Sequence, residues 1–176
     1  MEIGDNAVML NIAEDLRGTI HAALPLLEGI TDGDASIPTE PGKWSRKEIL
    51  GHLLDSAGNN QQKFIRTMER AELDFVGYHQ NFWVESQRYN TADWSGLIAF
   101  WRAYNLHLAH IIENTDPALL ANSITVEDHG TFTLEFIMRD YVEHLKHHLL
   151  QILPAGPLSS KFENVYDGEQ VANGDE

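Results

Sequence analysis

Apolar residues recur every three or four positions through four long stretches of the chain, separated by polar segments rich in Gly, Pro and acids. In the first stretch, Asn6 to Leu27, the stripe is Val8, Ile12, Leu16, Ile20, Ala23 and Leu27, with Pro25 expected to kink or end the helix. The second opens at Trp44-Ser45-Arg46-Lys47-Glu48. Ser45 followed three residues later by Glu48 is a capping box, and Trp44 is placed to pack back near Ile49. This helix is expected to run to about Ala71, with Ile49, Leu53, Phe64 and Met68 inward. The third, capped by Thr91 or Asp93, carries Trp94, Leu97, Ile98, Trp101, Tyr104, Leu108 and Ile111 and runs to about Asn114. The fourth, about Leu134 to Leu153, carries Leu134, Ile137, Tyr141, Leu145 and Ile152 and stops before Pro154.

The connections have their own character. Residues Phe75 to Asn90 hold Phe75, Tyr78, Phe82, Trp83 and Tyr89, with a short helix expected from about Gln80 to Arg88. Ser123–Val126 and Thr131–Leu134 flank Asp128-His129-Gly130 as a small hairpin, and Thr133 alternatively caps the last helix. The pattern predicts an all-α four-helix bundle, with a small hairpin before the last helix and connections long enough for a crossover. Residues 1–154 are expected to form the bundle and 155–176 an acidic, loosely held tail, in which Phe162, Val165 and Tyr166 are the residues able to dock.

Polar residues interrupt this pattern where chemistry would need them. His144 and His148 lie one turn apart on one face of the last helix, on or beside its apolar stripe. Imidazoles in a core need hydrogen-bond partners or a metal. His52, flanked by Leu50, Leu53 and Leu54 on the second helix, brings a third imidazole from another element. Three imidazoles can occupy one facial set of positions on Zn²⁺, Ni²⁺ or Fe²⁺ and leave the others open. The alternative is a set of core histidines satisfied by hydrogen bonds. His147 is out of phase and reads as a surface residue, and neither His107 nor His110 reads as a ligand. Beside the apolar face of the second helix run His52, Ser56, Asn59 or Asn60, and Lys63, as in a helix bordering a buried site. For Asn60 and Lys63 the expected setting is an edge in water. Asp55 and Asp140 read equally as groups that orient ligand imidazoles or as solvated charges. Glu48 to His52 and Glu143 to His147 are each spaced by four, which disfavours a di-iron carboxylate site, and no His-Glu-x-x-His motif occurs.

Charge and composition narrow the function. The 176 residues suffice for one domain with a sizeable core. With 27 acidic and 12 basic residues the net charge is −15, which disfavours nucleic acid and anionic membrane as partners. The absence of cysteine excludes disulfides, thiolate zinc sites and a protein thiol nucleophile. No signal peptide is visible and no apolar run approaches membrane-spanning length, so a cytoplasmic domain is expected.

Trp44-Ser45 followed by Glu48, the run Gly51-His52-Leu53-Leu54-Asp55-Ser56, the Tyr78-x-x-x-Phe82-Trp83-Val84 region and the final His144-x-x-x-His148 helix together resemble the DinB/YfiT-like superfamily of metalloenzymes. The resemblance spans roughly Asn6 to Leu153. It implies a four-helix bundle holding a divalent metal (zinc, nickel or iron) through His52, His144 and His148, and a homodimer. It also implies an activity on a small molecule. One form is thiol-dependent S-transfer to a small electrophile, with a low-molecular-weight thiol as cofactor and Lys63, Arg66 and Arg46 as contributors to its binding. Another is metal-dependent hydrolysis by a metal-bound hydroxide, for which Asp55, Tyr78 and Tyr141 are the candidate acids or bases, Asp55 and Tyr141 first among them. A third is a module that binds a metal or small ligand without turnover.

Overall fold

A computed structural model describes residues 3–38 and 40–164; the side chains of residues 3–6 and 128 are left out of the description. Four long helices carry the architecture: α1 (Ile3–Glu28), α3 (Arg46–Glu69), α5 (Trp94–Glu113) and α6 (Leu134–Ile152). Two short ones, α2 (Asp32–Ala35) and α4 (Gln80–Gln87), lie in the connections. α1 packs chiefly on α5 and also on α6, while α3 packs on α6 and α5. The first and second long helices therefore sit diagonally, and the connection between them crosses the bundle rather than making a simple up-down turn.

α3 and α5 start at caps the sequence marks, whereas α1 begins at Ile3, ahead of the expected Asn6. Ser45 caps α3 with the full reciprocal box: its side chain accepts from Glu48 N, and the Glu48 carboxylate accepts from Ser45 N at 2.7 Å. Asp93, not Thr91, caps α5, accepting from Gly96 N at 2.7 Å. Pro25 does not end α1, which continues to Glu28. Near the N-terminus of α3, the buried Lys47 ammonium lies 2.7 Å from Asp32 Oδ1, which also accepts from Trp94 N at 3.0 Å, so one carboxylate ties α2, α3 and α5 together.

The hairpin is present and is part of a larger sheet. β2 (Ser123–Val126) and β3 (Thr131–Thr133) pair antiparallel with Ser123 opposite Thr133. A strand absent from the sequence reading, β1 (Glu72–Phe75), pairs parallel with β2, in register Glu72 to Ser123. Its alternation puts Leu73 and Phe75 inward. Thr133 serves both roles proposed for it, ending β3 and capping α6 through a bond from Phe136 N.

The core is continuous through the bundle and includes Leu16, Leu53, Phe64, Trp101, Leu108, Leu134 and Leu145, all fully buried. Among the described residues, no helix is long and apolar enough to cross a membrane. After α6 the chain turns back at Leu153–Gly156 and Leu158 packs on the core. Phe162, one of the three tail residues able to dock, lies against His144; Val165 and Tyr166 lie outside the described residues.

Candidate metal centre

The capping box sets the phase of α3, and seven residues beyond Ser45 that phase carries His52 into the interior. His52 is only 2 % exposed, and both of its ring nitrogens are buried without a hydrogen-bond partner. Opposite it, α6 presents His144 and His148, one turn apart and half-buried. The three rings stand edge to face, with centroids 5.4 Å apart for His52–His144, 4.6 Å for His52–His148 and 4.5 Å for His144–His148. One nitrogen from each lies within 4.8 Å of the others, a spacing that small ring rotations bring to a single ion.

The surroundings fix which nitrogens are available. His148 Nδ1 is 3.0 Å from Gln151 Oε1, and His144 Nδ1 is 3.4 Å from Ser56 Oγ. If Nδ1–H donates in each pair, Nε2 carries the lone pair that faces the centre. Ser56 is itself held by Asn60, whose Nδ2 donates to Ser56 O at 2.9 Å and to Ser56 Oγ at 3.3 Å. Burial lowers the pKa of His52 to about 3, with the nearby His148 contributing. Burial also lowers His148, to about 4, against the opposing bond to Gln151. His144 is held well below the usual histidine range by burial and by its neighbouring imidazoles. The cluster is therefore neutral at physiological pH, the form in which imidazole binds metal.

These residues fit a divalent cation. A buried imidazole with both nitrogens unpartnered is costly as packing alone, and ligation supplies the missing interaction. Three nitrogen donors from two rigid helices leave positions open on an ion of four or more ligands. Nothing in the donor set chooses among zinc, nickel and iron.

The other residues singled out from the sequence divide. Asp55, 6 % exposed, is not in the cluster. Its Oδ1 accepts from the Tyr89 hydroxyl and from Gln87 Nε2, both at 2.7 Å, and its Oδ2 is buried without a partner. Burial raises its pKa and the two hydrogen bonds pull it back. Tyr78 has its pKa raised by burial and by Asp55, which puts the two groups within electrostatic reach. Tyr141 is fully buried in the core. Its hydroxyl donates to Asn105 Oδ1 at 2.5 Å and its ring meets Phe64 edge-on.

Lys63 and Arg66 both lie over the Phe75 ring, at 5.4 Å and 5.9 Å from its centroid. Lys63 and Asn60 are half-buried rather than at an edge in water, because β1 and α6 close over that side of α3. Lys63 is also close enough to His144 to disfavour its protonation. Arg46 turns away, donating to Asp34 O at 3.1 Å. His147 is exposed, as its phase required, and Gln151 Nε2 is 3.3 Å from its Nε2.

Trp44 does more than staple its helix. Its ring lies 5.3 Å from His52, and with Ile49, Lys43, Asn81 and Gln151 it lines an open cleft of about 450 Å³. The cleft borders the cluster through two of its walls, Trp44 beside His52 and Gln151 beside His148. Gln151 was not singled out from the sequence; its place three residues after His148 was the available signal.

Comparison with known proteins agrees with this architecture. The family model described as DinB superfamily matches residues 15–152. A curated protein of Bacillus subtilis (strain 168), named "Putative metal-dependent hydrolase YfiT", is 25% identical over 144 residues, covering 81% of this chain and 79% of its own length. The solved structure of YfiT from Bacillus subtilis, a four-helix bundle of unusual topology, superposes with a TM-score of 0.73 at 21% identity, covering 88% of this chain and 87% of that one.

Proposed function

This chain belongs to the DinB superfamily, and on that premise we propose that it is a metal-dependent enzyme, a hydrolase of a small molecule, with His52, His144 and His148 as the ligands of one divalent cation. The observation that carries the reading is His52: a buried imidazole, unpartnered at both nitrogens, facing two further imidazoles within one ion's reach. His52, His144 and His148 would hold the cation, which when bound would supply Lewis acidity for hydrolysis.

The chain's own residues do the rest. Gln151 and Ser56, placed at Nδ1 of His148 and His144, would hold those rings with Nε2 left as the ligand atom. Asp55 is the proton-handling group. Its carboxyl is anchored by Tyr89 and Gln87 through Oδ1, Oδ2 is free of partners, and its raised pKa suits a group that takes up and returns a proton. Tyr141 we assign to the core, where its phenol is committed to Asn105. Substrate enters by the cleft of about 450 Å³ between Trp44 and Gln151, whose walls also carry Lys43, Glu40 and Asn81. The net charge of −15 argues for a small-molecule substrate rather than nucleic acid.

Thiol-dependent transfer, the other activity implied by the resemblance, has no counterpart in the name of the curated relative, which speaks of hydrolysis. The test is turnover of activated esters by the metal-loaded protein with and without an added thiol. Hydrolysis without thiol, abolished by chelation and restored by metal, is the expected result. Turnover only with thiol would replace hydrolysis by transfer, and a full metal site with no turnover under either condition would make the protein a binding module.

A further inference from the structure

We infer that residues 157–162 form a strap that closes the His144 side of the metal centre, with Phe162 as a positioning residue for the His144 ring; this rests on the metal reading above. The chain leaves α6 at Ile152, turns through a bond from Gly156 N to Leu153 O of 3.0 Å, and runs back along the helix it has just left. Leu158 packs on the core on the way. By residue 160 the segment has returned to the level of Glu143, more than two helical turns before the end of α6.

There it is latched to one residue. Ser160 Oγ donates to Glu143 O at 2.9 Å, and Lys161 N donates to Glu143 Oε2 at 2.5 Å. Phe162 N donates to Ser160 Oγ at 3.0 Å. The Glu143 carboxylate is also held by Lys146 Nζ at 2.9 Å, and that ammonium reaches Asp15 at 2.7 Å, so the latch is fixed to α1 as well. Glu143 immediately precedes His144. The latch thus sets Phe162 on two imidazoles: edge-on to His144 at 5.2 Å and tilted against His147 at 5.3 Å.

This placement has a consequence that packing elsewhere on the surface would not have. With the segment in place His144 is part-buried, and the Phe162 ring stands edge-on to its imidazole. An apolar ring there keeps water from one edge of a ligand imidazole and restricts its rotation, two influences on how fast an ion is lost. Trp44 covers His52, beside the cleft, as Phe162 covers His144. The strap is thus a second cover on the cluster, and its opening sets the rate at which the ion exchanges with solvent.

The experiment is release of Zn²⁺ from the loaded, full-length protein to an excess of a zinc-binding dye, followed in time. Phe162→Ala is expected to release several-fold faster than wild type. Ser160→Ala, which loosens the latch without touching a ligand, is expected to shift the rate in the same direction by less, and Phe162→Leu, which restores an apolar cover, to return close to wild type. The melting temperature of the metal-free variants is the control: a role in folding alone would lower it in Phe162→Ala without changing the release rate. Release at the wild-type rate from Phe162→Ala would overturn the strap. Failure of wild type to take up Zn²⁺ at all would instead overturn the metal centre, and the strap with it.

Discussion

Tyr89 reaches Asp55 across the space that Gly51 leaves. Its hydroxyl donates to Asp55 Oδ1 at 2.7 Å, and a Cβ on Gly51 would lie 2.2 Å from two atoms of the Tyr89 ring. Gly51 and Asp55 are four apart on α3, so they share a face, and His52 lies between them in sequence. The aromatic connection after β1 is therefore seated beside the histidine cluster by one missing side chain and one buried carboxylate.

Gly51→Ala is expected to push Tyr89 out of this seat. Overpacking of this kind costs about 1–3 kcal/mol, against the small gain in helix propensity that alanine brings. The variant should melt lower than wild type, and near-ultraviolet circular dichroism should report a changed tyrosine environment. A melting temperature equal to or above that of wild type would mean that Tyr89 does not occupy the space.

Asp55→Asn separates position from protonation, because asparagine keeps the shape and one carbonyl oxygen. Burial raises the Asp55 pKa above its unfolded value. Between the two values the folded carboxyl keeps a proton that the unfolded one has lost, so wild-type stability falls as pH rises through that window, above about 3.8. The variant lacks this term. Its melting temperature relative to wild type should therefore be higher at pH 7 than near pH 4, while its turnover should fall by roughly 10²-fold or more with the metal retained. A difference in melting temperature that does not change with pH would show that the carboxyl is not desolvated.

Tyr141→Phe leaves the buried Asn105 carbonyl without its donor. An unsatisfied buried acceptor costs about 1–3 kcal/mol, so the variant should unfold at lower denaturant concentration yet keep its full metal content and most of its activity. Wild-type stability combined with lost turnover would return Tyr141 to the catalytic role that its position on the ligand helix suggested.

The bundle was readable because every long helix carries an apolar stripe and three of them, α3, α5 and α6, a cap as well; Ser45 with Glu48 is the clearest case. The histidine pair was readable for a related reason: helical spacing puts His144 and His148 on one face and removes His147, while His52 joined them through the family resemblance of the Gly51–Ser56 run. What sequence could not supply is which helices meet. The pairing of α3 with α6, which brings His52 to that pair, is a crossing topology that periodicity does not encode. β1 was missed because four residues with two apolar positions carry little signal, and its partner β2 lies 51 positions away in the register Glu72 to Ser123. Gln151, Gly51 and the Ser160–Phe162 latch escaped because each acts through a neighbour that only the folded chain brings close. Lys63 looked solvated because its aromatic partner, Phe75, belongs to the strand that was not foreseen.

The most direct measurement is metal content after equilibration with Zn²⁺ and gel filtration, for wild type and for His52→Ala, His144→Ala, His148→Ala and His147→Ala. A single three-histidine centre predicts one ion per chain in wild type and in His147→Ala, and a large loss in each of the other three, with circular dichroism showing the helices intact. Full metal retention by His52→Ala and His148→Ala together would contradict the centre and leave the cluster as buried imidazoles without a ligand.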